Sequence, residues 1–345
     1  MDNIYGKTIT ELEEYFLSHD EKKFKAIQVY EWLYQKKIND FADMSNIKKS
    51  VIDLLKQDFT LDKLKLVKVE EDIEVNKYLF SLNDRELVES VLMRHDYGNS
   101  ICISSQVGCN MGCHFCESGR RKKVRNLDAS EMILQILQVE SHIKERISHV
   151  VIMGIGEPFD NYDNIVKFIE IINHPKGMAL GSRHITVSTC GIIPKIEEFS
   201  NLPFQVNLAI SLHAPNNDIR NKLMPINKAY PLEKLIPAIK DYIKKTNRRV
   251  TFEYIMLDGI NDTEECANEL CTLLRGMNCY INLIPYNETN NLGYKRSKKV
   301  NISKFYDIIK NRGINVTIRR EFGSKISAAC GQLRSKKEEL WNRFI

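Results

Sequence analysis

From residue 129 onward the chain alternates between helical apolar spacing and short runs rich in β-branched and aromatic residues. The helical stretch "ASEMILQILQVESHIKER" leads into "HVVIMG", and the helical "NYDNIVKFIEIIN" comes next. The alternation continues through "HITVST", "QVNLAIS", "RVTFEYIM", "YINLIPY" and "INVTIRR", most of them followed by a helical segment. Strands that alternate with helices lie parallel in one sheet rather than in a sandwich. Six such strands predict an α/β fold built as a partial (β/α)6 barrel, short of the eight units that close a full one.

The first part of the chain has a different period. Phe24, Ile27, Tyr30, Leu33 and Tyr34 recur at a spacing that drifts little around a helix, with lysines at positions 22, 23, 25, 36 and 37 beside them. A second helix is predicted through "IKKSVIDLLKQDF", with Ser45 or Asn46 as its cap. Residues 1–62 are therefore expected to form a small N-terminal helical domain. Between 63 and 98 "LKLVKV", "NKYLFSL" and "LVESVLMR" are short, β-favouring and separated by turn residues, and "SICISS" continues the pattern. They predict a linking β-hairpin or meander ahead of a barrel over residues 99–345.

No stretch approaches the roughly 18 apolar residues that span a bilayer. The first residues carry early acids and no continuous apolar core. A cytoplasmic protein is expected, without a membrane partner. Nine cysteines, an odd number mostly scattered singly, argue against a disulfide framework and for metal or redox chemistry in a reducing compartment. The net charge of +5 is too small to demand a nucleic acid. The dense basic runs at 120–125, 294–299 and 318–320 are compatible with one, and equally with a solvated face.

Three cysteines break the scatter: Cys109, Cys113 and Cys116 in "CNMGCHFC". Structural zinc takes four nitrogen or sulfur ligands, and no second cysteine pair exists to complete it. His114 lies inside the same loop, awkwardly placed for a shared ion. A 4Fe–4S cluster is normally held by four thiolates. Three on one loop leave one iron open to a ligand from outside the protein.

Downstream, "MGIGEP" comes after a predicted strand, where two glycines let backbone approach a ligand and Glu157 can accept from an amine. Other strand ends carry Ser188, Ser211, Leu212, His213 and Asn287, at the edge where βα barrels collect their active sites. The triplet at the start of a partial barrel resembles the radical S-adenosylmethionine (SAM) superfamily. More closely, "FKAIQVYEWLYQKKINDFADMSN", "CISSQVGCNMGCHFC", "MGIGEP", "SLHAPNNDIRNKLMPIN", "YIMLDGIND", "INLIPYN" and "AACGQL" resemble the RlmN/Cfr group of radical-SAM RNA adenine methyltransferases, over most of the chain.

The resemblance implies a 4Fe–4S cluster on Cys109, Cys113 and Cys116. It implies SAM bound at Gly156, Glu157, Ser188, Ser211, Leu212, His213 and Asn287. Two SAM molecules are consumed per methylation. One methylates Cys330, in "AACGQL"; reductive cleavage of the second makes that methyl a radical that adds to adenine. Cys102 then resolves the protein–RNA adduct by a transient disulfide with Cys330, and Glu89 is the proton acceptor. The remaining cysteines, Cys190, Cys266, Cys271 and Cys279, match no motif and read as packing residues. The implied partners are 23S rRNA, met at its phosphates by Arg120–Arg125 and Tyr294–Lys299, tRNA and an electron donor such as flavodoxin or ferredoxin, with residues 1–62 as an RNA-binding accessory domain and the protein a monomer.

The target atom stays open between two products. "GEPFDN" and "LIPYN" look like the adenine-C2 group, whereas "CISSQVGCN" and "IRREFG" lean toward the C8 group whose members give antibiotic resistance. C2 is the preferred expectation, because its matches lie at the cofactor wall. A radical-SAM enzyme on a peptide or small molecule and an iron–sulfur RNA-binding protein without turnover are the other classes. The basic N-terminal segment speaks against the first, and the intact "GIGEP" and "AACGQL" against the second. The sequence also departs from the group's usual pattern, placing "ESGRRKKVRN" after the last cluster cysteine where small residues are more common.

Overall fold

The computed structural model describes residues 1–289 and 292–319. At the N-terminus, β1 (Asp2–Asn3) precedes α1 (Ile9–Ser18), α2 (Phe24–Tyr30), α3 (Lys49–Asp58) and β2 (Phe59–Thr60). β1 and β2 pair in parallel. Helix α1 starts at a reciprocal cap, where the Thr8 hydroxyl takes the Glu11 N–H and the Glu11 carboxylate takes the Thr8 N–H.

The expected helical stripe is buried at Tyr30, Leu33 and Tyr34 but not at its start. Ala26, Val29, Tyr30 and Leu33 are buried, whereas Phe24 is half exposed. The α2 spiral also widens into a π turn at Glu31–Gln35, which shifts the helical phase beyond it. Neither Ser45 nor Asn46 caps α3, which begins after Lys48 without a side-chain cap. Asn46 is otherwise engaged, its Oδ1 accepting the Trp32 indole N–H at 2.6 Å.

Three antiparallel strands come next, β3 (Lys65–Glu71), β4 (Val75–Ser81) and β5 (Leu87–His95), and then β6 (Gly98–Cys102). β6 is antiparallel to β5 on one edge and parallel to a barrel strand on the other. "SICISS" is thus both the last strand of the meander and the first of the barrel. Two short strands, β7 (Gln106–Val107) and β8 (Arg125–Asn126), pair with each other and bracket the cysteine loop.

Six βα steps complete the sheet: α4 (Ala129–Ile143), β9 (Ile147–Ile152), α5 (Tyr162–Asn173), β10 (Ile185–Thr189), α6 (Ile193–Phe199), β11 (Asn207–Ser211), α7 (Asn217–Leu223), α8 (Leu232–Thr246), β12 (Val250–Met256), α9 (Glu264–Leu273), β13 (Cys279–Pro285), α10 (Lys299–Asn311) and β14 (Asn315–Ile318). The sheet has ten strands in the order β14-β13-β12-β11-β10-β9-β6-β5-β4-β3. All neighbours from β6 to β14 are parallel, so the described residues hold seven parallel strands rather than the six counted from sequence.

The N-terminal segment docks on α4 and α5. Lys167 Nζ meets Glu11 Oε1 and Lys176 Nζ meets Glu31 Oε1, each at 2.7 Å. Lys37 Nζ stands 2.8 Å from Oε2 of the buried Glu140, whose Oε1 accepts the Ile147 N–H. Replacing Lys37 by Met leaves a buried carboxylate without its counter-charge. The expected loss is about 1–2 kcal/mol, reduced from a fully buried pair because the lysine is half exposed. A lower thermal midpoint for Lys37→Met, with Lys37→Arg close to the parent, checks this.

Candidate active site

The cysteine loop is pinched at its base, where Gln106 pairs with Asn126 and Val107 with Arg125. The Cys109 N–H donates to Arg121 O at 3.0 Å, the Val124 N–H to Val107 O at 2.7 Å and the His114 N–H to Leu223 O at 2.9 Å. Gly108 has φ +78°, and a Cβ there would stand 2.3 Å from Lys122 O. No other residue fits that turn without opening the ladder.

The basic run at 120–125 acts as a clamp on this loop. Arg121 forks onto Glu86 at 2.9 and 3.0 Å, and Lys123 reaches Asp160 at 2.6 Å. Arg125 bonds Asp84 at 2.6 Å and Glu131 at 2.7 Å, while Arg120 pairs with Glu117 at 3.2 Å. Lys122 is exposed.

A cavity of about 580 Å³ opens at the C-terminal ends of the parallel strands. Gly156, Glu157, Ser188, Ser211, His213 and Asn287 line it, together with Cys102, Cys109, Cys113 and Cys116. Leu212 does not. Its side chain is in the core, and only its backbone serves the site, the N–H donating to Glu253 O and the carbonyl accepting from Arg220 Nε. Cys330 and the rest of "AACGQL" lie outside the described residues.

Glycines shape the wall. Gly156 has φ +113°, and a Cβ would strike the Gln106 side chain at 2.7 Å. Glu157 beside it is buried, with Oε1 accepting the Phe159 N–H at 3.1 Å and Oε2 the Cys190 N–H at 2.8 Å. Burial raises its pKa, while these donors and Thr189 pull the other way.

His213 sits at φ +60°, a conformation that costs a non-glycine residue strain and is tolerated where surroundings fix it. Its Nδ1 accepts the Ile255 N–H at 3.1 Å, and its ring meets Phe115 edge-on at 4.8 Å. Burial, with help from Arg220, lowers its pKa to about 3. The ring is neutral, and its proton is on Nε2.

Burial, with Cys116 adding to it, pushes Cys109 up to about 12 and Cys113 higher still. Among the described residues no three His, Cys, Asp or Glu side chains converge closely enough for a single metal ion. Three thiols on one loop, facing a cavity that holds Glu157, match in number and type the donors an iron–sulfur cluster with one open corner would take. The residues fit that group.

Glu89 is not part of the cavity wall but lies behind it. Val91 pairs with Cys102, and Glu89 is two residues along the same face of β5. It is buried, with Oε2 3.5 Å from Lys77 Nζ. Diagonal neighbours across a sheet stand roughly 7–8 Å apart, so Glu89 and Cys102 share one patch.

Comparison with known proteins gives this geometry a family. Residues 103–270 match the family model described as the Radical SAM superfamily. Residues 2–61 match the ribosomal RNA large subunit methyltransferase N-terminal domain. A "Probable dual-specificity RNA methyltransferase RlmN" of Enterococcus faecalis is 54% identical, covering 99% of each chain. A protein of the same description from Spiroplasma citri is 52% identical over 98% of this chain and 99% of its own. The chain belongs to the RlmN family of radical SAM RNA methyltransferases.

A solved structure of a radical SAM methyltransferase from Sphaerobacter thermophilus superposes with a TM-score of 0.91 at 39% identity, covering 96% of this chain and 99% of its own. The superfamily uses SAM and a 4Fe–4S cluster. No helix of the described residues is long and apolar enough to cross a membrane.

In this RlmN-family protein, several residues in or behind the cavity wall were not read from the sequence as site residues. Arg220 is fully buried, donating to Asn227 Oδ1 and Cys190 O at 2.7 Å and more weakly to Leu212 O, Tyr230 O and Ser211 O. Cys190, read as a packing residue, is buried but also lines the cavity. Glu253 does too, its Oε2 accepting from Asn282 at 2.8 Å. A carboxylate between Phe252 and Tyr254 in a buried-type strand was the signal that could have found it.

Gly108→Ala should lower iron retention after anaerobic reconstitution at least several-fold while far-ultraviolet dichroism stays unchanged, because only the loop base is forced open. The His213 ring should show no titration between about pH 8 and about pH 5 in histidine-labelled NMR spectra. The unfolded chain binds that proton near pH 6.5, so stability falls as pH drops below about 6.5, and His213→Asn should remove this share of the slope.

Proposed function

We propose that this protein methylates C2 of an adenine in 23S rRNA, and of an adenine in tRNA, through a methylated Cys330 and a covalent protein–RNA intermediate. The observation that carries the reading is convergence: the cysteine triplet, Glu157, Ser211, His213 and Cys102 all line one cavity. The relatives' description as dual-specificity RNA methyltransferases supports two RNA substrates.

Cys109, Cys113 and Cys116 would hold three irons of the cluster, and Gly156, Glu157, Ser188, Ser211, His213 and Asn287 would hold SAM. When bound, these groups supply a 5′-deoxyadenosyl radical. Glu157 accepts from the cofactor's amine, and the Gly156 backbone allows the close approach that a Cβ would block. Neutral His213 donates from Nε2. The apolar wall of Val75, Val91, Met93 and Ile152 keeps water from the reacting carbon.

Cys330 carries the methyl by its match to "AACGQL". Cys102 offers the resolving thiol from β6, and Glu89, one pleat away, accepts the ring proton. The "GEP" proline and the "PYN" asparagine both line the cavity, which supports the C2 reading over C8. Phosphate contacts are assigned to the exposed Lys295, Lys298 and Lys299, beside the wall residue Arg296. Flavodoxin or ferredoxin as electron donor and a monomeric state complete the proposal.

Restoring the gene in cells that lack the activity should return 2-methyladenosine to rRNA and tRNA hydrolysates by nucleoside mass spectrometry. Appearance of 8-methyladenosine alone overturns the choice of atom. In purified protein, Ala at any triplet cysteine should abolish SAM cleavage, and Cys330→Ala should spare cleavage yet stop methyl transfer. Cys102→Ala should accumulate protein bonded to RNA.

A further inference from the structure

Lys77 is fully buried on β4, and its ammonium stands 3.5 Å from Glu89 Oε2. Its neighbours on the same strand face, Val75 and Leu79, are buried apolar residues. Burying an ammonium costs several kcal/mol unless a partner compensates, so packing alone does not account for it. Register supplies the reason. Lys77 pairs with Val91, Val91 pairs with Cys102, and Leu79 pairs with Glu89. Lys77, Glu89 and Cys102 therefore share one face of three adjacent strands, and that face becomes the cavity wall at Val75, Val91, Met93 and Cys102. Glu89 Oε1 is buried and has no hydrogen-bond partner among the described residues. One carboxylate oxygen is held and the other is open.

We propose that Lys77 is a positioning residue that keeps Glu89 ionised and turns its open Oε1 toward the substrate as the proton-accepting atom. This rests on the reading of Glu89 as the base. In the step concerned, a ring C–H bond breaks, an O–H bond forms at Oε1, and the bonding pair stays in the ring. Among the described residues, three ionisable groups face Glu89. Lys77 lies on β4, Glu70 lies directly opposite Lys77 on β3, and Cys102 lies on β6. Burial raises the Glu89 pKa, Glu70 adds to the rise, and Lys77 opposes both. Glu70 is itself bonded to Lys68 at the surface. Among these groups Lys77 alone favours the charged form, which a base needs before it can act.

The test uses the full-length protein with carboxyl-labelled glutamate, the Glu89 signal being identified by its loss in Glu89→Gln. Lys77→Met should raise the Glu89 titration midpoint by at least about one pH unit, and Lys77→Arg should leave it near the parent value. With reconstituted enzyme, the acidic limb of RNA release from the covalent adduct should move up by the same amount in Lys77→Met and return in Lys77→Arg. An unmoved carboxyl midpoint in Lys77→Met overturns the proposal. If Lys77→Met does not fold, the parent decides: Glu89 ionised at neutral pH supports the proposal, and Glu89 protonated there overturns it. Normal RNA release by Glu89→Gln would instead defeat the reading of Glu89 as base, while the carboxyl titration, read without RNA or cofactor, still reports the coupling to Lys77.

Discussion

β6 is hydrogen-bonded in opposite senses on its two edges, antiparallel to β5 and parallel to β9. That double pairing fuses the meander to the barrel. Side chains on a strand alternate faces, so the register fixes which meander residues look at the site. It sets Cys102 at the C-terminal end of a barrel strand, where the cysteine loop departs, and Glu89 and Lys77 on the adjoining strands of the same face. A one-residue slip between β5 and β6 would turn Glu89 and Val91 to the opposite side. The chemistry assigned to this chain thus depends on a ladder that lies outside the repeating βα pattern.

The strand ends must then be held still, and buried polar groups do this. Carbonyls at the C-terminal edge of a sheet lack ladder partners, and leaving them bare costs free energy. Arg220 satisfies those of Cys190, Ser211 and Leu212 with one side chain, and its pKa, lowered by burial to about 10, still leaves it cationic at neutral pH. Glu157 takes the N–H groups of Phe159 and Cys190 on the neighbouring loop. A guanidinium and a carboxylate bond the carbonyl and the N–H of Cys190, respectively, from opposite sides. The geometry of the wall is set before any ligand arrives, which is what a site for a short-lived intermediate requires.

How far the sequence foretells this depends on the kind of signal. The alternating barrel strands and the cavity-lining positions Gly156, Glu157, Ser188, Ser211, His213 and Asn287 were legible, since both period and strand-end position are local properties. The dual role of "SICISS" was not, because an apolar strand carries no mark of whether its neighbour runs parallel or antiparallel. Leu212 was expected at the site from its motif, yet alternation sends its side chain into the core and leaves only its backbone. The stripe held at Tyr30, Leu33 and Tyr34 and missed at Phe24, where Ala26 and Val29 take the buried face of α2 instead. Arg220 and Lys77 were invisible, since long cationic side chains are mostly exposed and only tertiary packing reveals the exception.

The basic runs make the same point about charge. As composition, 120–125 and 294–299 look alike, and both were compatible with phosphate. In the structure Arg120, Arg121, Lys123 and Arg125 each meet a carboxylate, from Glu117, Glu86, Asp160 and the pair Asp84 and Glu131. Partly exposed ion pairs contribute little to stability singly. Their value here is placement, because Asp84 and Glu86 belong to the β4–β5 turn, Glu131 to α4 and Asp160 to the loop after β9. The run ties the cysteine loop to three separate elements at once. Lys295, Lys298 and Lys299 are exposed by contrast, in the stretch where Arg296 reaches the cavity wall. A polyanion approaching the site would meet cations there, whereas at 120–125 it would first have to displace carboxylates that hold the cysteine loop in place.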